Sequence, residues 1–159
     1  MLYLVRHASA GDRRAWQGDD SVRPLDSKGL TQAAAIAEAL SAAHVHRVLS
    51  SPSVRCIQTV EPLAAALGLD IGIAVELDEG ADGSRTEALL DCLCGLPGDS
   101  VLCSHGDAIP EVLWRLAHRG VDVTPSRCKK ASVWELHVVD GAVTHGVYRP
   151  PRLFTAGTS

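Results

Sequence analysis

Residues 2–5, Leu-Tyr-Leu-Val, form an unbroken apolar run in a chain of 159 residues. A strand with one wet face alternates apolar and polar side chains. A run with no polar position reads as a strand covered on both faces. Covering a sheet on both faces takes helices on each side, so this short segment already points to a layered α/β arrangement.

The rest of the chain repeats the pattern. Strand-like runs at 2–6, 47–51, 70–75 and 100–104 alternate with helical periodicities. The first helix runs from an Asp26 or Ser27 cap to about Ala43, with Leu30, Ala33, Ala37 and Leu40 as its apolar face. The second starts at Ser51-Pro52, turns Ile57, Val60, Ala64 and Leu67 inward, and ends at Gly68. Further helices fall at about 86–94 and at 107–118. Residues 131–139 and 142–148 flank Asp140-Gly141, a dipeptide suited to the positive φ angles of a tight hairpin. Three loops remain: 8–24, 77–86 and a basic one at 119–130.

The expected fold is therefore a three-layer α/β/α domain. Its sheet is mostly parallel and flanked by helices, with a C-terminal antiparallel β-hairpin at the edge. One domain is expected over residues 1–159, with a poorly ordered tail from about Arg149.

Composition narrows the function. The chain is 46% hydrophobic and 21% charged, too apolar for a disordered protein. A net charge of −4 argues against nonspecific nucleic-acid binding. The charge is uneven: residues 1–109 carry eight Lys and Arg against fifteen Asp and Glu, and residues 110–159 carry seven against four. The basic segment either faces an anionic substrate or is solvated surface. No stretch is long and apolar enough for a bilayer span, and Arg6 interrupts the first apolar run too early for a signal peptide. Five scattered cysteines (Cys56, Cys92, Cys94, Cys103, Cys128) do not make a disulfide framework, which suits a reduced, cytoplasmic protein. Cys92, Cys94 and Cys103 are too dispersed for a zinc site, so no metal and no cofactor are expected.

Three strand ends carry unusual polar groups. The first ends in Arg6-His7. The second leads into "SSPSVRCIQT", which puts Arg55 in the first turn of a helix. The fourth ends in His105-Gly106. Ligands of open α/β sheets bind beyond the carboxyl ends of the parallel strands. If these strands run parallel, two guanidiniums and two imidazoles share one edge. Such a cluster repels itself unless an anion fills it, and phosphate fits the planar fork of arginine. Each motif alone has an ordinary reading as a surface pair, a helix cap or a turn. Their joint occurrence at successive strand ends is what carries weight.

On these residues the sequence resembles the histidine phosphatase superfamily, also called phosphoglycerate mutase-like. "LVRHASA", with Ala8 in place of the commoner Gly, matches its Arg-His motif. Ser50-Ser51-Pro52 with Arg55 and Gln58-Thr59 matches the second, and His105-Gly106 the third. The small size and "RPLDSKG" (Arg23–Gly29) look most like the compact SixA branch of phosphohistidine phosphatases. Residues 126–134 also resemble the phosphatase domain found behind Nudix domains in some actinobacterial proteins, although this sequence has no Nudix box.

The resemblance implies roles for individual residues. His7 would be the nucleophile, transiently phosphorylated. Arg6 and Arg55 would hold the phosphoryl oxygens, His105 would stabilise the transition-state charge, and Gly106 would allow close approach. Arg23 would add a third guanidinium. A general acid is expected after the third strand, where Glu76, Asp78, Glu79 and Asp82 are available and Glu79 sits nearest the family position. The implied activity is metal-independent hydrolysis of a phosphomonoester or phosphohistidine. The alternatives are a phosphoglycerate-type mutase and a non-catalytic phosphate-binding protein. Partners would be a phosphorylated small molecule, a nucleotide or a phosphohistidine protein, with no nucleic acid and no membrane. Arg13, Arg14, Trp16, Lys129 and Lys130 either read that substrate or are solvated.

Overall fold

The computed structural model describes residues 1–151. Its strands are β1 (Leu2–Arg6), β2 (Val45–Ser50), β3 (Ile71–Ile73), β4 (Asp99–Ser104), β5 (Val133–Val139) and β6 (Ala142–Arg149). Its helices are α1 (Ser27–Leu40), α2 (Val54–Leu67), α3 (Gly83–Cys94) and α4 (Ala108–His118). The six strands form one sheet in the order β3-β2-β4-β1-β5-β6. The first four are parallel to their neighbours, and the β5–β6 hairpin joins antiparallel along β1.

The apolar run behaves as a doubly covered strand must. Tyr3 and Val5 face the cluster built by α1 and α2, through Ile36, Val60 and Leu63. Leu2 and Leu4 face the opposite cluster, built by α3 and α4, through Leu90, Ile109 and Leu113. Two cores on two faces of one sheet make the expected α/β/α sandwich. Each fully buried Leu contributes about 2 kcal/mol of transfer free energy, so neither face is dispensable.

Several boundaries differ from the sequence reading, for local reasons. Helix α1 ends at Leu40, and Leu30 is exposed; Ile36 takes its place on the inner face beside Ala33, Ala37 and Leu40. Helix α2 starts at Val54 behind Ser53, not at Ser51-Pro52; the Ser51 hydroxyl accepts from the Ser53 N–H and is also engaged with Asp78 and His105. Its buried face is Cys56, Val60, Leu63 and Ala64, while Ile57 is only partly covered. Helix α3 begins earlier, at Gly83, since the Asp82 carboxylate accepts from the Ser84 backbone N–H and caps it. The hairpin turn is as read, with φ of 50° at Asp140 and 75° at Gly141. Arg149 closes β6 opposite Val133, and the rest of the expected loose tail, from 152 onward, lies outside the described residues. No helix among the described residues is long and apolar enough to cross a membrane.

Candidate active site

Register brings the strand ends together. Ser50 lies beside Cys103, and Arg6 beside Ser104, so β1, β2 and β4 finish level along one edge of the sheet. Backbone hydrogen bonds then fix the tip of β1. The His7 N–H donates to the Ser104 carbonyl and the Arg6 N–H to the Ser132 carbonyl. The Ala131 N–H bridges the Arg6 and His7 carbonyls at 3.2 Å each. Ala131 holds a φ of 61°, unusual for a residue with a Cβ. The Ala8 N–H donates to Thr59 Oγ1, whose own hydroxyl donates to the Arg55 carbonyl. Gln58 Oε1 accepts from the Leu25 N–H. The Gln58-Thr59 pair therefore ties α2 to both ends of the long first loop.

His7 is 6% exposed. Its Nδ1 donates to the Ala8 carbonyl at 2.8 Å, which leaves Nε2 as the free nitrogen on a ring that lines the cleft. Burial lowers its pKa to about 3. The Ala8 hydrogen bond opposes that shift, and the positive field of His105, Arg55 and Arg6 adds to it. The ring is neutral across the physiological range.

His105 lies beneath the cleft, 1% exposed, with its ring centroid 5.4 Å from that of His7. Ser51 Oγ sits 2.8 Å from His105 Nε2 and donates to Asp78 Oδ1 at 2.9 Å. Having given its one proton to the carboxylate, the hydroxyl accepts from Nε2–H. Arg55 Nη2 lies 3.4 Å from Nδ1 on the other side. The network thus runs Arg55, His105, Ser51, Asp78. Cys56 Sγ also approaches Nε2, at 3.5 Å.

Arg55 is 1% exposed. Nη1 donates to the Asp20 carbonyl, and Nη2 lies 3.2 Å from Asp20 Oδ2 and 3.3 Å from Glu79 Oε2. Arg6 Nη1 donates to the Cys128 carbonyl at 2.5 Å. The buried Nε of each of these two arginines has no partner among the described residues. Gly106 packs flat against Arg6: a Cβ there would stand 2.5 Å from the guanidinium carbon. Arg23, 6% exposed, is pinned by Asp20 Oδ1 and the Ala10 carbonyl.

These groups line an open cleft of about 460 Å³, apart from the deeper His105. Arg6, Arg13, Arg23, Arg55 and Lys130 supply its cations, and Asp12, Glu79 and Asp107 its carboxylates. Arg14 and Lys129 are not among its lining residues, and Trp16 walls an adjoining hollow. The four candidate acids separate clearly. Glu79 lines the cleft, held by Arg13 at 3.0 and 3.1 Å and by Arg55. Asp78 faces the Ser51–His105 side. Glu76 pairs with Arg85, and Asp82 caps α3, so neither serves the cleft. Sequence reasoning missed Asp20, which anchors three of the arginines (Arg13, Arg23 and Arg55), and Ser51, which positions His105. Asp20 sits in a loop with no periodicity. Ser51 was legible as a helix cap and as part of the Ser-Ser-Pro motif, neither of which places it against His105.

Among the described residues no three His, Cys, Asp or Glu side chains gather as a metal site requires. A second hollow, about 290 Å³ between α1 and β5, has Ile36, Leu40 and Val133 in its walls and no imidazole or thiol.

An α/β sandwich with histidines and arginines at the carboxyl edge of its parallel strands defines an anion-handling domain. Residues 2–85, more than half of the chain, match the family model of the histidine phosphatase superfamily (branch 1), and the chain belongs to that superfamily. It is 35% identical over 154 residues to an 8-oxo-(d)GTP phosphatase of Mycolicibacterium smegmatis, covering 94% of this chain and 48% of that protein. The chain spans about half the length, or less, of the curated relatives it matches. Among solved structures, the protein histidine phosphatase SixA complexed with tungstate superposes with a TM-score of 0.74 at 24% identity, covering 93% of each chain. A mycobacterial glucosyl-3-phosphoglycerate phosphatase superposes with a TM-score of 0.67 at 18% identity, covering 93% of this chain and 96% of that one. At these identities the two structures establish a common fold, which is the compact outline of SixA.

Proposed function

We propose that this domain is a metal-independent phosphatase acting on a phosphomonoester or phosphohistidine through a phosphohistidine intermediate on His7. The observation that carries this reading is the state of His7. One ring nitrogen is committed to the Ala8 carbonyl, the other is free at the cleft, and the ring is neutral. A neutral imidazole with one directed lone pair is the form that attacks phosphorus.

The neighbouring groups then take complementary roles. Arg6 and Arg55, whose guanidiniums line the cleft, grip the phosphoryl oxygens. Gly106 leaves the Arg6 guanidinium room to lie flat. His105, steadied by Ser51 and Asp78, supports charge that develops on the transferring group. Arg23 supplies further positive potential from the first loop. Glu79 is the carboxylate placed to handle a proton at the cleft. Water then attacks the phosphohistidine, the P–N bond breaks, and phosphate leaves. Five unbridged cysteines suit a reducing compartment such as the cytoplasm.

The test is hydrolysis of p-nitrophenyl phosphate together with labelling by a radioactive phosphoryl donor. His7→Ala should lose at least about 10⁴-fold in kcat, as expected for a missing nucleophile, and should take up no acid-labile label. Normal turnover by that variant would refute the assignment. Release of an isomerised product in place of free phosphate would point to a mutase.

A further inference from the structure

The cleft holds cations beyond the two that grip one phosphoryl group. Arg6 and Arg55 account for that group. Lys130 also lines the cleft, and no ion pair or side-chain hydrogen bond engages its ammonium among the described residues. Burial and the nearby Arg6, Arg23 and Arg55 all favour its neutral form, with only Asp26 opposing. A second anion would relieve that crowding. Arg23 lines the same cleft in a fixed pose, buried and pinned through Nε and Nη1.

Glu79, the carboxylate placed to handle a proton, is tied up in ion pairs. Both Glu79 oxygens are occupied by guanidiniums, Arg13 on one side and Arg13 with Arg55 on the other. An alkoxide leaving group needs a proton. A phosphate leaving group does not, because its last ionisation lies near pH 6. Finally, the cleft continues past Gly11, Asp12 and Arg23 into a hollow of about 250 Å³. Its walls include Trp16, Pro24 and Leu25, and the indole N–H is anchored to the Asp19 carbonyl.

From these three features we infer that the substrate is a phosphoanhydride, a nucleoside diphosphate or triphosphate. Its terminal phosphoryl group sits at His7, its next phosphate at Lys130 and Arg23, and its base against Trp16. The inference rests on the phosphatase reading and keeps its phosphohistidine intermediate, with an anhydride in place of the ester as the bond cleaved. The bond formed is His7 Nε2 to phosphorus. The bond broken is phosphorus to the bridging oxygen, which departs with its electron pair on the shortened nucleotide. Water then cleaves the P–N bond. The sum for a diphosphate is nucleotide plus water giving monophosphate, inorganic phosphate and a proton.

The experiment compares kcat/KM for ADP, GDP, AMP, pyrophosphate and p-nitrophenyl phosphate across the wild type, Lys130→Met, Lys130→Arg and Trp16→Ala. The diphosphates should exceed AMP by about tenfold or more, the size of one charged contact. Lys130→Met should lower the ratio of ADP to p-nitrophenyl phosphate by a similar factor, and Lys130→Arg should restore it. Trp16→Ala should lower ADP relative to pyrophosphate. AMP matching ADP, or Lys130→Met slowing every substrate in equal proportion, would overturn the inference. An unchanged ratio of ADP to pyrophosphate in Trp16→Ala would overturn the placement of the base. Turnover of p-nitrophenyl phosphate without ADP hydrolysis removes this inference alone. Absence of phosphate release from every substrate, with no label on His7, removes the phosphatase reading as well.

Discussion

The floor and the rim of the cleft are built on different terms. The floor is His7, Arg55, His105 and Ser51, all nearly inaccessible and each hydrogen-bonded to a neighbouring element. The rim is Arg13, Glu79 and Asp78, whose side chains are 60%, 37% and 41% exposed. Floor groups are held in place by the sheet, so they pre-organise one geometry at no cost during reaction. Arg13 and Glu79 hold each other by an ion pair in contact with water, of a kind that is weak and exchangeable, while Asp78 accepts from the Ser51 hydroxyl. The floor thus suits the step common to every substrate, and the rim suits discrimination between substrates.

Substitutions probe that division in descending order of effect. Arg55→Ala strikes the floor where structure and chemistry coincide. It leaves Asp20 and Glu79 with the exposed Arg13 as the shared cation that remains. A loss of about 10³-fold in kcat/KM is expected by analogy with removing a charge-stabilising donor, and a drop of about 3 kcal/mol in unfolding free energy. Enzyme assay and urea denaturation measure the two. Full stability in the variant would show that the floor is not a structural unit.

Gly106→Ala should separate the two effects. A Cβ would displace the Arg6 guanidinium while the backbone keeps an ordinary φ. Misplacing one phosphate ligand should cost about 10²-fold in kcat/KM, and the melting temperature should barely move. An equal loss of both would mean that Gly106 is a packing glycine only.

The pH dependence of stability offers a third probe. The His7 pKa is about 3 in the folded chain against 6.5 when unfolded, so the unfolded state binds more protons between those values. Stability contributed by burying neutral His7 is complete above about pH 6.5, the unfolded value, and is lost as pH falls towards 3. His7→Asn should flatten the stability curve in that window, as measured by denaturation at a series of pH values. A curve parallel to the wild type would mean that the imidazole is more solvated than its surroundings imply.

At the rim, Arg13→Ala should change the melting temperature within experimental error, because its partners Asp20 and Glu79 keep other cations. Only a few-fold change in kcat/KM is expected from losing such an exposed pair. A loss comparable to that of Arg55→Ala would erase the distinction between rim and floor.

Much of the floor was legible in the sequence. A run such as Leu2–Val5 has to be covered on both faces, and helical spacings such as Ala33, Ala37 and Leu40 supply the cover. Once strands and helices alternate, parallel pairing follows, and His7, Arg55 and His105 must meet at one edge. Local errors arose where a side chain added distant partners to the nearby backbone. Ser51 is the clearest case: its hydroxyl accepts from the Ser53 N–H, as a cap does, but it also serves Asp78 and His105.

The rim was not legible, because its contacts cross long stretches of chain. Asp20 reaches Arg55 from a loop without periodicity, and Arg13 meets Glu79 across 66 residues. Of four acids within seven positions, only the family resemblance singled out Glu79; nothing in the local sequence showed that Glu76 and Asp82 would turn to Arg85 and to the start of α3. The sequence by itself determined the layered fold and the edge where the histidines gather, since both follow from the period of apolar residues along the chain. Which carboxylates, cations and hollows surround that edge was decided only by tertiary structure. Loop closure, not periodicity, sets the distances between charges far apart in sequence.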